Sequence, residues 1–230
     1  MLLGVLWLRA TPVLGAGEEG IALAIIYDTS GSMKDPVKDE QGNAAPKFRI
    51  ANRALIAIAN RIQAFATNSA TGTPRKIQAE LLTFQNGQPH VAMPLAPFNA
   101  EALAAWANRF ASPDGGTPLG NSLNTAAHAL LQSGLNHKHV LIITDGMNTY
   151  GPEPASVLAK LQQEAIQKQT SVSVHFVAFD VDDKVFSGVK KLGATVVAAS
   201  NESQLNAQLG FILEKKILLE DEEAPPPKKP

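Results

Sequence analysis

The amino-acid sequence predicts an α/β fold of three layers, built on a doubly wound, mostly parallel sheet with one antiparallel edge strand. From Glu18 onward, short apolar or β-branched runs alternate with longer helical patterns, the order that lays helices on both faces of such a sheet. The first run, Ile21 to Tyr27, is apolar almost without interruption, as suits a central strand buried on both faces. Asn86-Gly87 separates two further strand-like runs, Ile77 to Phe84 and His90 to Leu95. This dipeptide favours the positive φ of a type I′ turn, which returns the second run antiparallel to the first and leaves it at an edge.

The remaining elements follow in order. Lys34 to Pro46 is polar and contains Pro and Gly, too turn-rich for a helix, and is expected to be a surface loop. Within Phe48 to Ala66, Ile50, Ala54, Ile58, Ile62 and Phe65 recur at spacings of three or four, which marks one buried face of an amphipathic helix. Asn99 can cap a helix through Phe110. Pro118 suits the first turn of another helix running to about Ser133, where its missing N–H costs nothing. Val140 to Thr144 is a second buried-strand run, Glu153 to Gln169 a helix, and Val172 to Phe179 a valine-rich third run. A shorter helix around Lys184 to Leu192, a strand at Thr195 to Ala199 and a helix from about Glu202 to Leu218 complete the alternation, with Ser200 or Asn201 as N-cap.

Composition narrows the function classes. With 230 residues, 45% of them apolar, the chain can bury a full core and suits one medium-sized domain. Its 20 Lys and Arg against 21 Asp and Glu give a formal charge of -1, so no broad basic field exists to attract nucleic acid or anionic lipid. With no cysteine there is no disulfide framework, thiol nucleophile or thiolate zinc site. No apolar run approaches the roughly 20 residues of a membrane-spanning helix. Leu2 to Leu8 is apolar and Gly15-Ala16-Gly17 offers small residues for cleavage, the pattern of a short export signal over residues 1–17 that implies a periplasmic or secreted protein. The lack of a preceding positive charge and the early Arg9 keep a buried N-terminal extension and a cytoplasmic location open. The domain is expected over residues 18–218. Residues 219–230, acidic and then rich in Pro and Lys, have no apolar face to bury and are expected to be a disordered tail.

The chemistry concentrates in three segments. Asp28-Thr-Ser-Gly-Ser32 directly follows the first buried strand, at the carboxyl edge where open α/β sheets place ligand sites. Asp28 brings an anionic oxygen, Ser30 and Ser32 bring neutral hydroxyls on alternate positions, and Gly31 lets the backbone turn tightly enough for both to converge. Such an all-oxygen set suits a hard cation. Alone, the pattern reads more readily as a turn or cap whose side chains bond to nearby backbone N–H groups. Gly115-Gly116-Thr117-Pro118-Leu119, just before a helix, and Ile142-Ile-Thr-Asp-Gly146, at the end of another buried strand, shift the balance. They bring Thr117 and Asp145 to the same edge.

These three ordered motifs resemble the von Willebrand factor A-type family, which includes integrin inserted domains and many bacterial proteins with the Asp-x-Ser-Gly-Ser-Met form of Asp28 to Met33, and the resemblance covers roughly Glu18 to Leu218. The resemblance implies a Rossmann-like sheet of order 3-2-1-4-5-6, with strands numbered along the chain and the third antiparallel at an edge. It also implies a metal-ion-dependent adhesion site in which Ser30, Ser32 and Thr117 bind the metal directly, while Asp28 and Asp145 act mainly through bound water or hydrogen bonds. Neutral hydroxyls leave most of the cation's charge uncompensated, so an open coordination position attracts a carboxylate from a protein partner. Magnesium (Mg2+), about 2.0–2.1 Å from its ligands and slow to lose all its water, fits better than calcium; manganese can substitute. The Lys34 to Pro46 stretch lengthens the family's loop after the metal motif, either as solvated surface or as a source of partner specificity.

The expected function is therefore a metal-dependent protein-binding module, not an enzyme. One alternative is an accessory subunit, since similar bacterial domains often accompany AAA-type ATPases or chelatases inside the cell. Another is a metal-dependent phosphate-ester hydrolase using the same edge. The hydrolase lacks parts: there is no Gly-x-Ser-x-Gly elbow, no P-loop, and no second aspartate at the position where aspartate-based phosphatases carry their Asp-x-Asp pair. His137 and His139 alternate along a strand entry, but no third ligand accompanies them, so an exposed pair is expected rather than a zinc site. His90, His128 and His175 read as isolated, and Trp7 and Trp106 as apolar anchors.

Overall fold

Among the described residues, eight strands form two sheets: β1 (Glu18–Tyr27), β2 (Pro36–Lys38), β3 (Ala44–Pro46), β4 (Ile77–Gln85), β5 (Gln88–Pro97), β6 (Leu135–Thr144), β7 (Ser173–Phe179) and β8 (Thr195–Ala199). The main sheet runs β5-β4-β1-β6-β7-β8. Every neighbouring pair in it is parallel except β4 and β5. Numbered among its own six strands, this is the expected order 3-2-1-4-5-6, with the third strand antiparallel at an edge. The computed structural model describes residues 17–67 and 74–218. The segment read as an export signal, Trp7 and the tail at 219–230 lie outside the described residues.

The turn between β4 and β5 has φ of 53° at Asn86 and 69° at Gly87, the pair of positive angles that a type I′ turn requires. Past it, β5 pairs unevenly: its register against β4 shifts between Ala79 and Leu81 and again between Leu81 and Leu82. The strand also carries Pro89, Pro94 and Pro97.

Helices cover both faces. The helices α1 (Lys47–Thr67), α2 (Ala100–Arg109), α3 (Leu119–Gln132), α4 (Pro154–Gln167), α5 (Ser187–Lys191) and α6 (Glu202–Ile212) divide three to a side. The alternation of β1 shows how: Ile21, Leu23, Ile25 and Tyr27 pack with α1, α2 and α6, whereas Ala22, Ala24 and Ile26 pack with α3, α4 and α5. Ile50, Ala54, Ile58 and Ile62 make the predicted buried face of α1. Burying each large aliphatic side chain contributes about 2 kcal/mol. Asn99 Oδ1 accepts from the Ala102 N–H at 2.9 Å, and Asn201 Oδ1 accepts from the Gln204 N–H at 2.9 Å, so both anticipated caps form. No helix among the described residues is long and apolar enough to cross a membrane.

Two expectations require correction. Lys34 to Pro46 is not simply a loop: β2 and β3 pair antiparallel from Pro36 with Pro46 to Lys38 with Ala44. Asp39 Oδ1 closes their turn by accepting from the N–H groups of Gln41 (3.0 Å) and Asn43 (2.8 Å). The histidines of β6 are also not an exposed pair. The strand begins at Leu135 and is flanked by β1 and β7, with Leu23 and Ser173 beside His139, so His139 is fully buried. His175 is not isolated either; its ring stacks on His139 with centroids 5.6 Å apart, Nδ1 of His139 lying 3.3 Å from Nε2 of His175.

Candidate metal centre

The site begins where β1 leaves the sheet. The buried Tyr27 hydroxyl donates to Asn52 Oδ1 at 2.7 Å, and Asn52 Nδ2 donates to the Phe110 carbonyl at 2.9 Å, which fixes the strand end against α1 and α2. The ring also meets Trp106 edge-on at 5.3 Å, so Trp106 is the apolar anchor expected. Asp28 continues the pairing with β6 through its N–H to the Ile143 carbonyl, at 3.0 Å. Its carboxylate is fully buried. Oδ1 accepts the Ser30 N–H at 2.8 Å and Oδ2 accepts the Thr144 hydroxyl at 2.5 Å. Burial first, and then the charge of Asp145, push the Asp28 carboxyl up to about 6, against the lowering effect of the bonds from Ser30 and Thr144.

Thr29 secures the loop on the other side, its hydroxyl donating to the Phe84 carbonyl (2.9 Å) and accepting the Phe84 N–H (2.8 Å). A single 3-10 turn, Gly31–Lys34, follows, pinned by the fully buried Met33. Ser30 is left buried and Ser32 exposed at the rim, their hydroxyl oxygens 3.1 Å apart. The Ser32 hydroxyl donates to Asp145 Oδ1 at 2.8 Å.

Backbone bonds draw in the loop that carries Thr117. The Gly31 N–H donates to the Gly115 carbonyl (2.9 Å), and the Asp114 N–H to the Thr29 carbonyl (2.8 Å). The segment after Asp145 closes from above, with the Thr149 N–H to the Thr117 carbonyl at 2.9 Å and the Thr117 N–H to the Thr149 hydroxyl at 2.7 Å. Gly116 makes this closure possible: a Cβ there would lie 2.3 Å from Tyr150 Cε2 and 2.6 Å from Thr149 Oγ1. Thr117 is buried, and a Cβ built on Gly146 would stand 3.9 Å from its hydroxyl, so that hydroxyl sits beside the Asp145 turn. All five residues singled out in the sequence therefore meet at the carboxyl ends of β1 and β6. The chain's connections diverge there to opposite sides of β1, the position where open α/β sheets bind ligands.

The second oxygen of Asp145 is engaged too. Lys47 Nζ, nearly buried, lies 3.1 Å from Asp145 Oδ2 and 3.1 Å from Asp180 Oδ2. Burial works to lower the Lys47 pKa, but Asp145 and then Asp180 outweigh it, and the net direction is upward. No group of three or more His, Asp, Glu or Cys side chains among the described residues is placed to hold a metal ion. The oxygens that meet at this edge are the Ser30 and Ser32 hydroxyls and the Asp145 carboxylate.

The family model of the von Willebrand factor type A domain matches residues 22–209. This chain belongs to that family. Solved structures with the same fold include the PilB minor pilin from Streptococcus sanguinis, at 16% identity and a TM-score of 0.67, the match covering 94% of this chain and 66% of the pilin. Proximal thread matrix protein 1 from the mussel byssus, in a structure with a zinc-occupied MIDAS motif, matches at 17% identity and a TM-score of 0.61, over 86% of this chain and 49% of that one. The vWF domain of the type V pilus tip protein Mfa5 from Porphyromonas gingivalis matches at 12% identity and a TM-score of 0.59, over 86% of this chain and 95% of that one. At such identities the likeness is one of fold, and the chain spans less than two thirds of the pilin and about half of the thread protein. No curated protein matches it in sequence.

Within this von Willebrand factor type A domain, sequence reasoning missed the groups that hold the five residues in place. Thr144 lies inside the Ile142 to Gly146 motif but reads there as one more strand residue. Lys47 stands one position before the expected start of α1, and Asp180 immediately after the third buried run. The usable signal for Asp180 was its place: a carboxylate following a buried strand, as with Asp28 and Asp145.

Proposed function

We propose that this domain is a binding module in which Ser30, Ser32 and Thr117 hold a divalent cation through their hydroxyls, magnesium in the first instance, with Asp28 and Asp145 acting through hydrogen bonds or water. The bound cation would supply an open coordination position for a carboxylate on a protein partner. The observation that carries this reading is the position of Ser32. Ser32 is exposed, and its hydroxyl lies within hydrogen-bond reach of both buried Ser30 and buried Asp145, so oxygens from the β1 and β6 loops converge where the core meets the rim.

The donor chemistry supports a hard cation. Ser and Thr hydroxyls and carboxylates are all oxygen ligands, and the protein commits them at a strand edge without a histidine or thiolate. Both oxygens of Asp28 are occupied by Ser30 and Thr144, which suits a carboxylate that orients the loop and not one that attacks a substrate. The similarity in fold to a thread matrix protein with a zinc-occupied MIDAS motif, and to a pilus tip protein, agrees with an adhesion-type role outside the cytosol. Export through residues 1–17 belongs to the same proposal, and N-terminal sequencing of the mature protein tests it.

Calorimetric titration of magnesium and manganese into wild type and Ser32→Ala tests the site. Saturable binding in wild type, weakened at least tenfold in Ser32→Ala, is expected; equal affinity in both proteins would remove Ser32 from the site. The partner is sought among proteins retained from a lysate in magnesium and released by chelator, with an excess of a soluble carboxylate peptide as competitor.

A further inference from the structure

Lys47 brings a fixed positive charge to the same carboxylate that faces the hydroxyls. Asp145 is shared end to end: Oδ1 accepts from Ser32 at 2.8 Å, and Oδ2 accepts from the Lys47 ammonium at 3.1 Å. The ammonium has a second anchor in Asp180 Oδ2, also at 3.1 Å. Asp180 itself adopts φ of 57°, an angle uncommon for residues other than glycine, and is held there by its N–H bond of 2.7 Å to the Ala199 carbonyl. Lys47 is held at its backbone as well, its N–H donating to the Asp35 carbonyl at 3.0 Å. Three segments, the start of α1, the end of β6 and the end of β7, thus converge on one nitrogen. The Lys47 side chain is 7% exposed and that of Asp145 is fully buried, so solvent screens this pair little.

We infer that Lys47 is a tethered internal cation that competes with the divalent ion for the charge of Asp145, weakening metal binding while keeping the metal-free edge assembled. This rests on the reading of Ser30, Ser32 and Thr117 as metal donors. Without the metal, Asp28, Asp145 and Asp180 would gather three carboxylates at one sheet edge, and the ammonium offsets one of the two negative charges nearest to it. With the metal, the ammonium becomes a like charge on the far side of one carboxylate. Two effects oppose each other when Lys47 is made neutral: the cation loses a repelling neighbour, and Asp145 loses one of two bonds that orient it. The first is the larger. Coulombic repulsion between a monovalent and a divalent centre one carboxylate apart exceeds the orienting effect of a single hydrogen bond, and Ser32 still holds Oδ1. The outcome is a site tuned to need a high metal concentration or the added attraction of a partner's carboxylate.

The experiment uses the full chain as wild type, Lys47→Met, Lys47→Gln and Lys47→Arg. Magnesium and manganese are titrated into each by calorimetry at one ionic strength, and thermal midpoints are measured in chelator. Lys47→Met and Lys47→Gln should bind metal roughly tenfold tighter than wild type, with lower midpoints in chelator, and Lys47→Arg should keep wild-type affinity. Lys47→Gln retains a donor for Asp145 and serves if Lys47→Met does not fold without metal. Neutral variants that bind metal no tighter than a metal-binding wild type overturn the inference and leave the metal reading intact. Failure of all four proteins to bind metal overturns both. Binding by the neutral variants alone supports the inference in its strongest form, with the ammonium standing in for the metal.

Discussion

Thr144 donates its hydroxyl to Asp28 across 2.5 Å, between the ends of two neighbouring parallel strands. The bond compensates a carboxylate that is wholly removed from solvent. Thr144→Val keeps the shape and deletes the donor, leaving one oxygen of Asp28 short of a partner. Such a loss costs about 1–3 kcal/mol. Urea unfolding in chelator should register it, and Thr144→Ser should recover most of it; a valine variant as stable as wild type would show that the contact contributes nothing.

Thr117→Ala separates binding from folding. The Thr117 backbone, not its side chain, makes the bonds to Thr149 that hold its loop. Loss of the hydroxyl should therefore lower stability by about 1 kcal/mol or less while weakening magnesium binding at least tenfold. Equal magnesium affinity in mutant and wild type would rule Thr117 out as a donor.

Gly116→Ala tests the closure of the upper loop. Its Cβ would fall 2.6 Å from the Thr149 hydroxyl that accepts the Thr117 N–H. Something must move, and the nearest atoms that the Cβ would meet all belong to the side chains of the exposed Thr149-Tyr150 segment. The expected result is weakened magnesium binding with a stability loss on the order of 1 kcal/mol. Tyr150→Ala added to Gly116→Ala should restore little, because the clash with Thr149 remains.

Glu80 provides a pH-dependent term remote from the metal residues. It lies in β4, 3% exposed, and its Oε1 has no hydrogen-bond partner among the described residues. Burial pushes its carboxyl up from the ordinary 4.5 to about 8. A raised folded-state value means that the native protein holds a proton which the unfolded chain has already released. Its contribution to stability is therefore complete below about 4.5, declines as pH rises, and is gone above about 8. Glu80→Gln lacks this slope. It should be more stable than wild type at pH 9, by an amount on the order of 3 kcal/mol, with the difference shrinking towards pH 5. Parallel pH profiles for the two proteins would contradict the assignment.

The sheet was legible in the sequence because Ile21–Tyr27 of β1 and Val140–Ile143 of β6 are buried on both faces and apolar up to the carboxyl ends of those strands. That same pattern makes the ends conspicuous: Asp28 and Asp145 are the first charged residues after β1 and β6 turn apolar. What was hidden depends on distant pairings. Lys47 and Asp145 are 98 positions apart, and no local pattern connects them. The β2–β3 hairpin has strands of three residues with one buried side chain, Val37, too short for alternation to show. His139 was misjudged because the polar stretch Asn136 to His139 concealed the early start of β6. Its burial follows from having a strand on either side, which is a property of the sheet and not of the segment.

The margins of the sheet limit how this protein can associate. An edge strand with regular spacing invites another chain to add a strand of its own, the first step towards aggregates. At one margin, β5 presents three prolines that cannot donate, and two shifts of register break the rhythm of its free groups. At the other, β8 is only five residues long. Strand addition is therefore discouraged on both flanks, and two copies crowded on a surface would have little means of zipping together through their backbones. A partner of the proposed kind would then be met by side chains at the ends of the strands, which discriminate between partners where a continuous hydrogen-bonded ribbon does not.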